Sequence, residues 1–263
     1  LRNTLRFLLG NLASFDESER LPLAEMPYLE QLVLHHLAEL DELVRQSCAD
    51  FDFHRLYVAL GNFCTNDLSA FYLDVRKDAL YCDDLTSNRR RAARTVLDQI
   101  FSCLTAWLAP ILCFTAEEAW RSRFPEEESV HLRQFPEIPS SWHNEGLAAR
   151  WAKVRTLRRV VTGALEVERR EKRIGASLQG HPTVYAPAEY LAALEGLDTA
   201  EICITSSVTL KEGAVPDGAF MLEDISDIGV IVEMAEGGKC ARCWQILSEV
   251  PVDESGVLGV CQR

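Results

Sequence analysis

The sequence predicts a mainly α protein: a helical bundle, then a small α/β unit, then a short cysteine-bearing module. Three observations predict it. Apolar residues recur at helical spacing through the first 125 positions. After "IGASLQG" the spacing changes to that of short strands. Residues 237–263 hold three cysteines but too little apolar material for a core of their own, so something else must staple them. The expected boundaries are a bundle over 1–145, a long helix with the α/β unit over 146–236, and the terminal module over 237–263.

"LRNTLRFLLGNL" carries apolar residues at 1, 5, 8, 9 and 12, one helical stripe. Residues 28–49 repeat it with Leu29, Leu32, Val33, His36, Leu37, Leu40, Leu43 and Val44. Asp52 is placed to cap the next helix, whose inner face is expected to be Phe53, Leu56, Tyr57, Leu60 and Phe63. That helix is expected to continue with a bend through "TNDLSAFYLDV". Ser87 or Asn88 should cap a long helix from Arg89 to about Ala109. Its apolar face is Ala92, Val96, Ile100, Cys103, Leu104 and Trp107, and Pro110 should end it. Thr115 and Glu118 stand in capping-box spacing before "EEAWRSRF". Several such helices joined by short loops form a bundle.

Residues 124–145 are rich in Pro, Ser and acids and read as an irregular connector. A helix is expected from about Gly146 to Arg173, with Trp151, Val154, Leu157, Val161, Ala164 and Leu165 on one stripe. "PTVYA", "EICITSSVTL" and "GVIVEMA" read as strands, and "PAEYLAALEG" as a helix between the first two.

The 263 residues suffice for two ordinary domains. No apolar run approaches the roughly 18 residues that cross a bilayer, and no signal peptide is visible. A cytoplasmic monomer with no membrane association is expected. A start at Leu1 and an abrupt end suggest a piece of a longer protein. The first five of the nine cysteines, 48, 64, 82, 103 and 113, read as small buried hydrophobes in a reducing compartment.

The formal net charge is −13, yet nucleic-acid binding depends on local patches. Nine Lys or Arg stand between 150 and 173 against three Glu, and Arg155, Arg158, Arg159 and Arg169 are expected to face solvent. "RRRAAR" clusters Arg89, Arg90, Arg91 and Arg94, the first three at a helix start, where the macrodipole disfavours cations by up to ~1 kcal/mol each. That misplacement points to an anionic partner such as phosphate, or to pairing with Asp83 and Asp84. His35 and His36 adjoin an apolar stripe and read as packed histidines.

"KCARCW" supplies Cys240 and Cys243, and Cys261 follows after 17 residues. A CxxC turn presents two thiolates from one knuckle, and this gap suits a second knuckle, so the module reads as zinc-finger-like with these three as ligands. A fourth thiol would fall at position 264. With three ligands, the affinity of this chain for zinc is expected to be reduced. Gly237, Gly238, Gly256 and Gly259 supply turns, while Lys239 and Arg242 offset thiolate charge. The Gly-Gly before the knuckle and the loop-like "SEVPVDESG" after it argue against a redox CxxC. No glycine-rich phosphate loop, HExxH or GxSxG is present, nor a His-x-Gly-His or Lys-Met-Ser-Lys-Ser segment. No catalytic residue is expected.

"LAPILCFTAEEAW" (108–120) resembles the anticodon-binding domains of class I aminoacyl-tRNA synthetases of the Ile/Val/Leu/Met group. "NFCTNDLSAFYLDVRKDALYCD" (62–83), "GALEVERREKRIGASLQG" (163–180) and "GGKCARCW" (237–244) are similar to the bacterial isoleucyl-tRNA synthetase family, in order and spacing. The resemblance covers essentially the whole chain. It implies a fragment that grips tRNA-Ile, belonging to a parent enzyme that joins isoleucine to tRNA with ATP and Mg in catalytic and editing domains absent here. The fragment alone is expected to be inactive. The resemblance also implies zinc at Cys240, Cys243 and Cys261. A similar zinc module occurs in a family of DNA glycosylases. Trp244 and Arg242 become candidates for base contact. Arg89, Arg90, Arg91, Arg94, Arg155, Arg158 and Lys239 become candidates for the RNA backbone. The alternative is a helical protein-interaction domain with a zinc hook and no RNA role.

Overall fold

Each apolar stripe of the first 125 residues becomes a helix. In the computed structural model, which describes residues 1–251 and 259–262, the chain divides into two units, Leu1–Glu145 and Gly146–Arg263. The first contains α1 (Arg2–Asn11), α2 (Tyr28–Ala49), α3 (Phe53–Asn62), α4 (Leu73–Val75), α5 (Lys77–Tyr81), α6 (Asn88–Leu108) and α7 (Cys113–Arg123). α6 is the centre of this unit and packs against α1, α2, α5 and α7. Ala92, Val96, Ile100, Cys103, Leu104 and Trp107 are fully buried along it. A buried Leu or Ile contributes about 1.5–3 kcal/mol, and truncating an aromatic such as Trp107 costs about 3–5 kcal/mol. α6 stops two residues before Pro110, whose ring cannot continue the hydrogen-bond ladder.

Asp52 caps α3 by accepting from the Arg55 amide. The bend expected beyond it is a π-helical stretch over Phe63–Tyr72, closed by the Leu73 amide donating to the Leu68 carbonyl five residues back. Its buried residues, Phe63, Cys64, Leu68, Phe71 and Tyr72, follow the wider π spacing, so the chain stays helical while its apolar face shifts. The expected inner face of α3 is corrected at two positions. Leu56, Leu60 and Phe63 are buried, but Phe53 and Tyr57 are exposed: α3 packs on α2, and its buried stripe through Leu56 and Leu60 is narrower than the apolar side read from spacing.

A buried ionic contact joins α2 to the end of that stretch. Both nitrogens of the Arg76 fork donate to the Glu30 carboxylate at 2.7 Å, and the Tyr72 hydroxyl donates to it at 3.1 Å. Glu30 is 0% and Arg76 3% exposed, so removal of either partner strands a charge in a dry interior. No sequence signal marked this triad.

The capping box at Thr115 and Glu118 does not form. α7 begins three residues earlier, after Leu112, and Glu118 pairs with Arg2 instead. Glu117 is the residue that staples this region, accepting from Arg121, from the Ser129 hydroxyl and from the Val130 amide. The connector is irregular but held down: the Trp120 indole donates to the Glu128 carbonyl, and the Arg45 guanidinium to that of Pro136. Of the first five cysteines, Cys64 and Cys103 are buried, Cys48 and Cys82 half-buried, and Cys113 exposed, which corrects the expectation for the last three. His35 is buried, its Nδ1 accepting from the Asn144 amide.

The second unit begins with α8 (Glu145–Arg170), followed by β1 (Gly180–Ala186), α9 (Ala188–Ala193), α10 (Thr199–Cys203), β2 (Thr209–Glu212), β3 (Phe220–Leu222), β4 (Ile225–Met234), β5 (Gly238–Lys239) and β6 (Ile246–Leu247). The four-stranded sheet has the order β2-β1-β4-β3, with β1 parallel to β2 and antiparallel to β4. α8 buries Trp151, Val154, Leu157, Val161, Ala164 and Leu165. Gly163 lets α8 lie close to the sheet, since a Cβ there would come within 2.9 Å of the Phe220 ring. "EICITSSVTL" is not one strand. Asp198 caps a helical turn through its first residues by accepting from the Glu201 amide, Ile204 ends that turn in the left-handed region, and only 209–212 is strand. No described helix is long and apolar enough to cross a membrane.

Candidate metal centre and nucleic-acid interface

β5 and β6 form a two-stranded ladder pairing Gly238 with Leu247 and Lys239 with Ile246. This ladder presents the turn from Cys240 to Gln245. The Cys240 amide donates to the Gln245 carbonyl at 2.9 Å, and the Trp244 amide to the Cys240 carbonyl at 3.0 Å. Gly238 must be glycine, because a Cβ there would meet the Val250 carbonyl oxygen at 2.3 Å. Gly237 takes a φ of 126°, open to glycine and little else. Gly259 crosses back, its carbonyl accepting from the Ala241 amide at 2.9 Å, and so delivers Cys261 to the turn. Gly256, the remaining expected turn residue, lies outside the described residues.

The three thiols converge. The sulfur atoms of Cys240, Cys243 and Cys261 lie within 4.8 Å of one another, and all three residues are buried. Cys243 and Cys261 stand 3.8 Å apart, not bonded as a disulfide. The Cys240 sulfur accepts from the amides of Arg242 at 3.4 Å and Cys261 at 3.3 Å. Burial raises the Cys240 thiol, but the inward-pointing amides outweigh it and hold the thiol down to about 6. The Cys243 thiol is pushed up by its own burial, an effect its neighbouring sulfurs reinforce. Three sulfurs this close cannot all be anionic without a cation between them. The donor set and its amide cradle therefore fit a thiophilic metal ion, and Cys240, Cys243 and Cys261 could hold one.

The side chains around the cluster face two ways. The Arg242 guanidinium approaches the Cys261 sulfur at 3.9 Å. Trp244 is 62% exposed and sits at a φ of 67°, a left-handed conformation uncommon for an aromatic residue. The Lys239 ammonium stands 5.2 Å from the centre of its ring, in cation–π range. Sequence reasoning missed two supports that carry no spacing signal. The Ile246 amide donates to the Ser206 hydroxyl at 2.7 Å, which in turn donates to the Leu178 carbonyl at 2.5 Å, anchoring the module on the α/β unit. Glu249 accepts from the Gln262 amide beside Cys261 at 3.1 Å.

The basic residues chosen as backbone contacts divide sharply. The "RRRAAR" segment has its partners inside the protein, two carboxylates and several backbone carbonyls. Arg89 grips Asp83 with two nitrogens at 2.7 Å. Arg90 donates to the Leu80 carbonyl, and Arg91 to those of Ser18 and Glu19. Arg94 is 6% exposed, pairs with Glu19 at 3.0 Å and donates to the Ala13 carbonyl. Arg94 thus offers no surface to phosphate, which corrects that expectation: the unfavourable helix-start charges are balanced by the 13–20 loop and Asp83. The solvent-facing set on α8 is corrected as well. Arg158 is half-buried and donates to the Ile202 carbonyl at 2.8 Å, and Arg155 is half-buried. Arg159 and Arg169 are exposed, but paired with Asp224 and Glu166.

Residues 30–185 match the family described as the anticodon-binding domain of tRNA ligase. The chain belongs to that family. Among curated relatives it is 53% identical over 254 residues to an isoleucine–tRNA ligase of Agrobacterium fabrum, covering 96% of this chain and 26% of the relative. It is 54% identical over 266 residues to one of Ruegeria pomeroyi, covering all of this chain and 27% of the relative. It is 50% identical over 254 residues to one of Bartonella henselae, covering 96% and 26%. The chain spans about a quarter of the length of the curated relatives it matches.

Proposed function

We propose that this chain is the tRNA-gripping part of an isoleucine–tRNA ligase, holding tRNA-Ile by its anticodon region while isoleucine is activated with ATP and Mg and transferred elsewhere in the enzyme. The observation that carries the reading is the identity of about half of all positions to isoleucine–tRNA ligases, maintained over 96% of the chain in one relative and over all of it in another. In this reading the cluster of Cys240, Cys243 and Cys261 holds one zinc ion, which when bound supplies a crosslink the small module lacks. The chain's own residues do the rest. The knuckle holds Trp244 exposed with Lys239 over its ring, an aromatic face beside a cation, which suits an unstacked base and its phosphate. The enzyme works in the cytoplasm as a monomer.

The test is titration of transcribed tRNA-Ile and of an unrelated tRNA into the zinc-loaded protein at several salt concentrations. Tighter binding of tRNA-Ile with a steep salt dependence is expected, since phosphate contacts release counterions. Binding that is absent, or flat with salt, overturns the reading in favour of a protein-interaction domain.

A further inference from the structure

Two exposed cations without an acidic partner among the described residues lie together at the C-terminal turn of α8. Arg169 pairs with Glu166, and Arg173 with Glu168 and Glu171. These acids are thereby occupied. Arg170 and Lys172 are exposed, and among the described residues neither has an acidic partner. Together these side chains line a shallow cleft of about 490 Å³. In a chain of net charge −13 such a concentration is unusual. A helix C-terminus does favour cations, which accounts for Arg169 and Arg170 in the last turn. It does not account for Lys172. That residue lies beyond the helix at a φ of 60°, the left-handed capping position where glycine is ordinarily preferred. Local structure gives no reason for a lysine there.

The topology puts this turn at the same end of the sheet as the cysteine module. The segment leaving α8 enters β1 at Gly180, which pairs with Met234 at the close of β4. The Ala235 amide donates to the Gln179 carbonyl at 2.8 Å, and the module begins three residues later. The link from Leu178 through Ser206 to Ile246 tightens the same junction. Arg170 and Lys172 therefore share one end of the unit with Lys239 and the outward Trp244.

We propose that the turn closing α8 is a phosphate-contact surface for RNA, with Arg170 and Lys172 as its contact residues, extending the base-facing corner at Trp244 along the backbone of the same RNA strand. This rests on the tRNA-binding reading above. RNA is favoured over an acidic protein or a membrane because an exposed aromatic ring stands among cations at that end, and bases stack on such rings. Exposed pairs such as Arg169–Glu166 are weak enough to open toward phosphate.

The experiment compares the zinc-loaded protein with the double variant R170Q/K172G, titrated with transcribed tRNA-Ile and with an unrelated tRNA. Glycine preserves the left-handed cap, so a thermal melt is expected to be unchanged. Phosphate contacts carry no sequence information, so both RNAs should weaken by the same factor, about tenfold near 0.1 M salt. The slope of log K against log salt should fall by about 1.5, since each lost contact removes about 0.7–0.9. A W244A variant should instead narrow the difference between the two RNAs. If the unsubstituted protein binds RNA and the double variant binds it with unchanged affinity and slope, the surface is refuted while tRNA binding stands. If the variant keeps RNA affinity but loses retention on phosphatidylserine vesicles, a membrane takes its place. If the unsubstituted protein binds no RNA, both readings fall.

Discussion

Arg89 and Arg94 lie in the first two turns of a helix in the first unit; Arg170 and Lys172 lie at the end of one in the second. Of the first pair, Arg89 sits where the helix dipole repels cations and Arg94 one turn further in, and they are held by Asp83 and Glu19. In the second pair only Arg170 lies in the last turn, where the dipole tolerates a cation, and neither residue is held by an acid among the described residues. In sequence the two segments look alike, and "RRRAAR" is the denser. What separates them is the supply of carboxylates and carbonyls that each fold brings within reach. A cation satisfied internally stabilises the fold, and an unsatisfied one is available to a ligand. The two units differ in a second respect: the helical unit buries Leu, Phe and Trp around α6, while the terminal module of the other relies on three thiols.

The largest effect expected from breaking this contrast is on the metal. Structural zinc carries apparent binding free energies on the order of 10–16 kcal/mol, and sites with fewer thiols carry less. Treatment with excess chelator should abolish hydrogen-exchange protection at the Ala241 and Cys261 amides. Protection along α6 should be untouched. Equal loss in both units, or none in either, would mean that the module is not held by a metal.

Next is Arg94→Gln. The Arg94 side chain is 8% and that of Glu19 21% exposed, so the variant leaves a partly buried carboxylate without its cation. Removal of one partner from a fully buried pair costs about 3–5 kcal/mol, and about 3 kcal/mol is expected here by denaturant titration. The folded variant should bind RNA with an unchanged salt slope. Arg89→Gln should cost less, about 1–2 kcal/mol, because Arg89 is 24% exposed while Asp83 is 6% exposed. A fall in the salt slope for either variant would return "RRRAAR" to the RNA surface.

The fold was largely legible because helical periodicity is a local signal. The stripes of α1, α2, α6 and α8 each reached the interior. Where a residue's role depended on a distant partner, the sequence was silent. Phe53 and Tyr57 lie on the apolar side of α3 by spacing alone, yet no helix covers them. Thr115 and Glu118 have capping-box spacing, yet α7 starts upstream. The Glu30–Arg76–Tyr72 contact spans 42 to 46 positions and leaves no trace in either segment. At the metal centre, two of the thiols are fixed by a local turn, and the third only by a gap length that the return of Gly259 makes meaningful. Of the arginine contacts, pairing with Asp83 was legible and Arg89 makes it, whereas the contacts of Arg91 and Arg94 with the 13–20 loop left no signal. Lys172 lay inside the basic run counted from the sequence, but its left-handed backbone could not be read there.

The smallest expected effect on stability, and the sharpest test of the contrast, is Lys172→Gly alone. Lys172 holds a left-handed conformation that costs an L-residue roughly 1–2 kcal/mol, which glycine avoids. Glycine in turn raises the entropy of the unfolded chain, an opposing effect of about 0.5–1 kcal/mol. The lysine has no carboxylate partner among the described residues to lose. The difference therefore lies between zero and about 1.5 kcal/mol in favour of the variant, measurable as a thermal midpoint that holds or rises slightly. The same substitution should lower the salt slope for tRNA by about 0.7–0.9. Arg94→Gln should do the opposite on both counts, weakening the fold and sparing the slope. A midpoint that fell by several degrees with Lys172→Gly would show that this lysine serves the fold, and the distinction between the two clusters would no longer hold.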